Sequence, residues 1–87
     1  RSIMAAVREI LVDCICEKTG YPADSVGDGQ ALESDLGLDS IAKVELLSTV
    51  AERLSINLED MDEAQTEKLE AAKTVEDLVK FIEEMCV

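Results

Sequence analysis

At 87 residues the chain has room for one modest core, and is too small for a second domain or a deep catalytic cleft. Hydrophobic residues make up 47% of it, yet Tyr21 and Phe81 are its only aromatics, so the core must be built from Leu, Ile, Val and Ala, which favours packed helices over a sheet. Twenty acidic against eight basic residues give a net charge of −12, which repels nucleic-acid phosphate and anionic membrane alike and leaves basic protein surfaces as the natural partners.

Cys14, Cys16 and Cys86 are an odd number without the dense spacing of a secreted disulfide scaffold, and read as reduced thiols of a cytoplasmic protein. With no His in the chain, neither a Cys/His zinc site nor a His general base can be built, and no catalytic or metal-ligating residue is assigned. No apolar stretch has the length of a membrane span. The sequence begins at Arg1 instead of Met and reads as a single domain, 1–87, cut from a longer polypeptide.

In the first segment Ile3, Val7, Ile10, Leu11, Cys14 and Ile15 recur at helical spacing, with Arg8, Glu9, Asp13 and Glu17 between them. The pattern predicts an amphipathic helix from about residue 2 to residue 18, closed by Gly20 and followed by Pro22. Cys14 falls in the apolar stripe as a core thiol. From Thr19 to Asp39 lie all four glycines and the only proline, a long connection that Tyr21, Val26, Leu32 and Leu36 should pin to the core.

A second helix is predicted from Asp39 or Ser40 to about Leu54, with Asp39 capping its first amides. At 100° per residue Leu46, Leu47, Val50 and Leu54 share one side, and Glu45, Ser48, Thr49, Glu52 and Arg53 the other. Ile41 and Val44 do not join the stripe; they project toward the edge shared with Glu45 and Ser48 and form an apolar pair close to Ser40 flanked by Glu45 and Glu52. Such a pair reads as a docking surface, although Ile41 could equally fold back onto the long loop. Asp62-Glu63-Ala64-Gln65 matches a capping box that opens a short helix to about Ala72. Thr74 then caps a last helix with Val75, Leu78, Val79, Ile82 and Met85 or Cys86 in its stripe and Glu76 paired to Lys80. The expected fold is all-α, a four-helix bundle with a long first loop and a short third helix.

The informative segment is Asp35-Leu36-Gly37-Leu38-Asp39-Ser40-Ile41, which presents a hydroxyl where a long loop enters a helix; a phosphate there would meet free amides and the positive end of the helix dipole. With Val44-Glu45-Leu46 it resembles the attachment motif of acyl carrier proteins, and the likeness extends through Glu17-Lys18-Thr19-Gly20-Tyr21-Pro22, Glu33-Ser34-Asp35-Leu36 and Thr74-Val75-Glu76-Asp77-Leu78. Within that family the loop and the Asp-Ser-Ile core resemble carrier domains of polyunsaturated fatty acid synthases and related iterative polyketide synthases. Those often carry Lys-Arg where this chain has Ala42-Lys43.

The resemblance implies that Ser40 receives a 4′-phosphopantetheine arm derived from coenzyme A, with Asp39 as the flanking motif residue. It also implies a separate phosphopantetheinyl transferase that uses magnesium. The arm's thiol, and no cysteine of the protein, would carry growing acyl or polyketide chains as thioesters to ketosynthase, acyltransferase and other synthase domains. The isolated domain is expected to be a non-catalytic monomer. Two other readings compete: a helical adaptor would share the charge and the helices but gain nothing from the Asp39-Ser40 pair. A calcium loop would place Asp24, Asp28, Gly29 and Asp35 at the first, fifth, sixth and twelfth positions of an EF-hand, but Val26 stands where the third-position ligand belongs.

Overall fold

The computed structural model describes residues 3–86, with side chains from Ala6 onward. Among the described residues there are four helices, α1 (Ile3–Thr19), α2 (Ser40–Leu54), α3 (Glu63–Ala71) and α4 (Val75–Cys86). Single 3₁₀ turns at Ala23–Ser25 and Leu58–Asp60 interrupt the two long connections; neither was expected from the sequence. The predicted start of α1 at Ser2 and the side chain of Ile3 lie outside the described residues, and its end falls at Thr19, one residue beyond the prediction. Gly20 adopts a φ of +83° and its amide closes on the Cys16 carbonyl at 2.8 Å, a left-handed stop that a residue with a Cβ reaches only with strain.

One core unites the helices. Val7, Leu11, Cys14 and Ile15 of α1, Leu46, Leu47 and Val50 of α2, Leu69 of α3, and Val75, Leu78, Val79, Phe81 and Ile82 of α4 are all buried in it. The predicted stripes are therefore the buried faces, with Leu54, Met85 and Cys86 half-buried at the margin. Cys14 sits inside as a small apolar residue, and burial pushes its thiol above the ordinary range. Burial does the same to Cys86.

The long connection is held to the bundle by backbone. The Leu32 amide donates to the Lys73 carbonyl at 2.8 Å, and Ala31 bridges Thr74 in antiparallel fashion. The amides of Val75 and Glu76, which open α4, donate to the carbonyls of Gln30 and Asp28. Asp77 and Thr74 satisfy one another's amides through their side chains, so the first turn of α4 is supplied partly by the loop and partly by its own cap. Leu32, Leu36 and Leu38 are the loop's buried anchors, with Val26 half-buried. Tyr21 is not an anchor, contrary to the expectation from the sequence. It stays 45% exposed and, with Ser25, Gln30, Asp35 and Leu36, lines a hollow on the surface of the loop.

α3 is short and buries only Leu69, so its ends depend on local bonds. Asp62 accepts from the Gln65 amide at 2.8 Å while the Gln65 side chain accepts from the Asp62 amide at 3.1 Å, the reciprocal box that the sequence predicts. Among the described residues no helix is long and apolar enough to cross a membrane.

Candidate functional site

The loop delivers Ser40 to the first position of α2 by a defined path. Gly37 turns the chain with a φ of +72°, Leu38 is buried with its amide on the Leu32 carbonyl at 2.8 Å, and Asp39 becomes the N-cap. The Asp39 carboxylate accepts from the Ala42 amide at 2.8 Å, and its carbonyl accepts from the Lys43 amide at 2.9 Å. These bonds use the third and fourth amides of the helix; the first two, of Ser40 and Ile41, have no acceptor within it. Ser40 is thus an exposed hydroxyl at a helix mouth with amides and the positive dipole end beside it, which suits a phosphodiester. Its surroundings fit an arm attached through phosphate and extending outward.

Next to Ser40, Ile41 is 73% exposed and Val44 is 52% exposed. Ile41 therefore does not fold back onto the loop. Glu45 and Glu52 are exposed further along, and the Glu45 carboxylate accepts from the Lys18 ammonium at 3.1 Å. Arg53 reaches back from α2 to Asp13 and Glu17 on α1. Two carboxylates of the calcium frame face protein donors: Asp28 pairs with Arg8 at 3.0 Å, and Asp35 accepts from the Ala31 amide at 2.8 Å.

One site residue was missed in the sequence. Lys43, one turn after Ser40, is 8% exposed, and its ammonium donates to the carbonyls of Ala72 at 2.9 Å and Glu70 at 3.2 Å. These are carbonyls at the end of α3, which that helix cannot satisfy itself. Burial pulls the Lys43 ammonium below its ordinary value, and the nearby charge of Lys73 adds to the effect. The signal available in the sequence was its angular position, 100° per residue placing it three before Leu46 on the inward face. A shallow cleft of about 60 Å³ opens here, lined by Leu38, Ser40, Lys43, Glu70, Ala72 and Lys73 among others.

An exposed hydroxyl on a capped helix start, displayed by a pinned loop on a small acidic helical bundle, is the arrangement of a carrier domain. The chain belongs to the phosphopantetheine attachment site family, whose model matches residues 9–82, and it is an acyl carrier domain with 4′-phosphopantetheine as its covalent cofactor. It is 34% identical over 61 residues to a polyunsaturated fatty acid synthase subunit from Thraustochytrium sp. (strain ATCC 26185 / S-3). That alignment covers 70% of this chain but 2% of the relative, so the shared part is one small module of a very long polypeptide.

Proposed function

We propose that Ser40 is the attachment residue, and that the domain holds growing acyl or polyketide chains as thioesters on its arm and presents them to the enzymes of a multidomain synthase. The single observation that carries the assignment is the exposed Ser40 at the open mouth of α2, capped by Asp39, within the segment that resembles the attachment motif of carrier proteins. The arm supplies a thiol at the end of a long flexible tether. The protein supplies a rigid pedestal and no activating base: there is no His in the chain, and the nearby Lys43 ammonium is engaged as a donor to two carbonyls. Modification therefore falls to a separate transferase, and the domain itself is non-catalytic.

Ile41 and Val44 with Glu45 and Glu52 form the docking face, where an apolar pair rimmed by acid suits enzymes with basic surrounds. The small share of the synthase relative that this chain covers supports a place as one module of a longer synthase, and the three free cysteines suit a reducing, cytoplasmic setting. Incubation with coenzyme A, magnesium and a phosphopantetheinyl transferase should add one phosphopantetheine, and Ser40→Ala should abolish the addition with unchanged circular dichroism. Labelling of another serine, or persistent labelling of the alanine variant, would remove the assignment.

A further inference from the structure

Among the described residues Tyr21, Ile41 and Val44 are the large apolar side chains left exposed. The last two follow Ser40 on α2, whereas Tyr21 stands apart, three residues beyond Lys18 at the close of α1. The Lys18 ammonium donates to Glu45, so this end of α1 adjoins the proposed docking face. With Ser25, Gln30, Asp35 and Leu36, Tyr21 lines a hollow of about 190 Å³. Bonds within the loop hold its walls. One oxygen of the Asp35 carboxylate accepts from the Ala31 amide at 2.8 Å, and the Gln30 side chain accepts from the Gly27 amide at 2.8 Å. The Ser25 amide donates to the Pro22 carbonyl at 2.9 Å, and the Tyr21 amide to the Thr19 hydroxyl oxygen at 3.3 Å. The hollow is thus formed before anything enters it, which lowers the entropy cost of binding.

Its lining selects the occupant. An aromatic ring draws a cation to its face, the second Asp35 oxygen is left to accept from outside, and no basic side chain lines the hollow. An anion would meet Asp35 and a net charge of −12, and an apolar group would leave that carboxylate without a partner. A guanidinium answers both features, since it is planar enough to stack on a ring and donates to a carboxylate at its edge. We propose that the hollow seats an arginine side chain of the phosphopantetheinyl transferase, a second point of contact that fixes how the enzyme is turned toward Ser40. It rests on Ser40 being the attachment point and on α2 being the docking face. Asp35 and Leu36 belong to the pinned path that leads into Ser40, with Leu36 and Leu38 buried, so an enzyme that grips this wall is held in register with the hydroxyl.

The test follows modification by the transferase at saturating coenzyme A, with the modified serine read by mass spectrometry. Addition at a serine other than Ser40 overturns the attachment reading and this proposal with it. With addition at Ser40, Tyr21→Leu and Asp35→Asn should each raise KM for the domain severalfold with little change in kcat. Leucine keeps the apolar bulk and asparagine can still accept from the Ala31 amide, so neither effect is a loss of packing. Tyr21→Phe keeps the ring and should behave as wild type. In the absence of enzyme, N-acetylarginine amide should shift the Tyr21 ring and Ser25 amide resonances more than N-acetyllysine amide does, and N-acetylnorleucine amide should leave them in place. Wild-type kinetics for Tyr21→Leu, or equal shifts from the arginine and lysine probes, overturns the seat. Where Glu45→Lys still slows the reaction, Ser40 and the α2 face survive that result.

Discussion

The Lys18 ammonium, in the last turn of α1, lies 3.1 Å from the Glu45 carboxylate on α2, so one of the two acids proposed for docking already holds a cation from its own chain. Both groups are partly solvated, and such a pair contributes only about 0–1 kcal/mol. Glu45→Lys should therefore leave the fold intact but slow modification by the transferase in a salt-sensitive way, with a weaker effect for Glu52→Lys. Val44→Ser should weaken modification with little salt dependence, because apolar contact and not long-range attraction is removed. Lys18→Met, which frees Glu45, should speed encounter more than Lys80→Met, which removes the same charge from the Glu76 pair on α4. Equal kinetics for wild type, Glu45→Lys and Val44→Ser at low ionic strength would remove α2 from the recognition face.

Ile41 and Leu46 sit five residues apart on the same helix with opposite exposure, 73% against 1%. Leu46→Ala should cost about 2–5 kcal/mol by denaturant titration. Ile41→Ala should change stability by no more than about 0.5 kcal/mol while reducing transferase kcat/KM. A large stability loss at Ile41 would show that it is packed and not presented.

The cysteines should be dispensable for carrying cargo. Replacing Cys14, Cys16 and Cys86 together by Ala should preserve loading of the arm, with Cys14 accounting for most of a destabilisation of roughly 1–2 kcal/mol, a buried methylene-sized group plus its cavity. In the native protein Cys14 should also resist alkylation near neutral pH, since it is buried and its thiol is pushed up. Loss of thioester formation in a folded triple variant would contradict this.

Asp77 gives the domain a defined acid sensitivity. The Lys73 amide, with the Thr74 amide and hydroxyl, favours the ionised carboxylate and holds Asp77 below its ordinary 3.8. A carboxylate depressed by folding contributes fully above its unfolded value, and that contribution is lost as pH falls through the depressed one. Asp77→Ala should cost about 1 kcal/mol at neutral pH, as cap removals do. It should also flatten the stability profile below the ordinary carboxylate value, measured by thermal melts across an acid pH series. An unchanged profile would mean that other carboxylates set the acid limit.

The four helices are legible because each carries its own local signals: the apolar stripes of α1, α2 and α4, Gly20 at the close of α1, and the caps at Asp39, Asp62 and Thr74. The placement of Ser40 just inside a capped start is legible for the same reason, whereas its role as an acceptor is suggested by the likeness of the surrounding motif to carrier proteins and not by the local pattern. Lys43 is legible only as a position on the inward side of α2; the carbonyls of Glu70 and Ala72 that receive its ammonium lie far along the chain and leave no mark in that pattern. Tyr21 misleads in the opposite sense. An aromatic in a loop suggests an anchor, but the three leucines at 32, 36 and 38 fill the available core and leave the ring at the surface.

The bonds from Leu32 to Lys73, and from Val75 and Glu76 back to Gln30 and Asp28, tie the segment before Ser40 to residues made much later. During synthesis the loop's polar backbone and its three leucines have no berth until α4 has left the ribosome and closed on α1. The path that leads into Ser40 is therefore fixed only once residues 73–76 lie beside it, so the far end of the chain sets when the near end of α2 gains its footing.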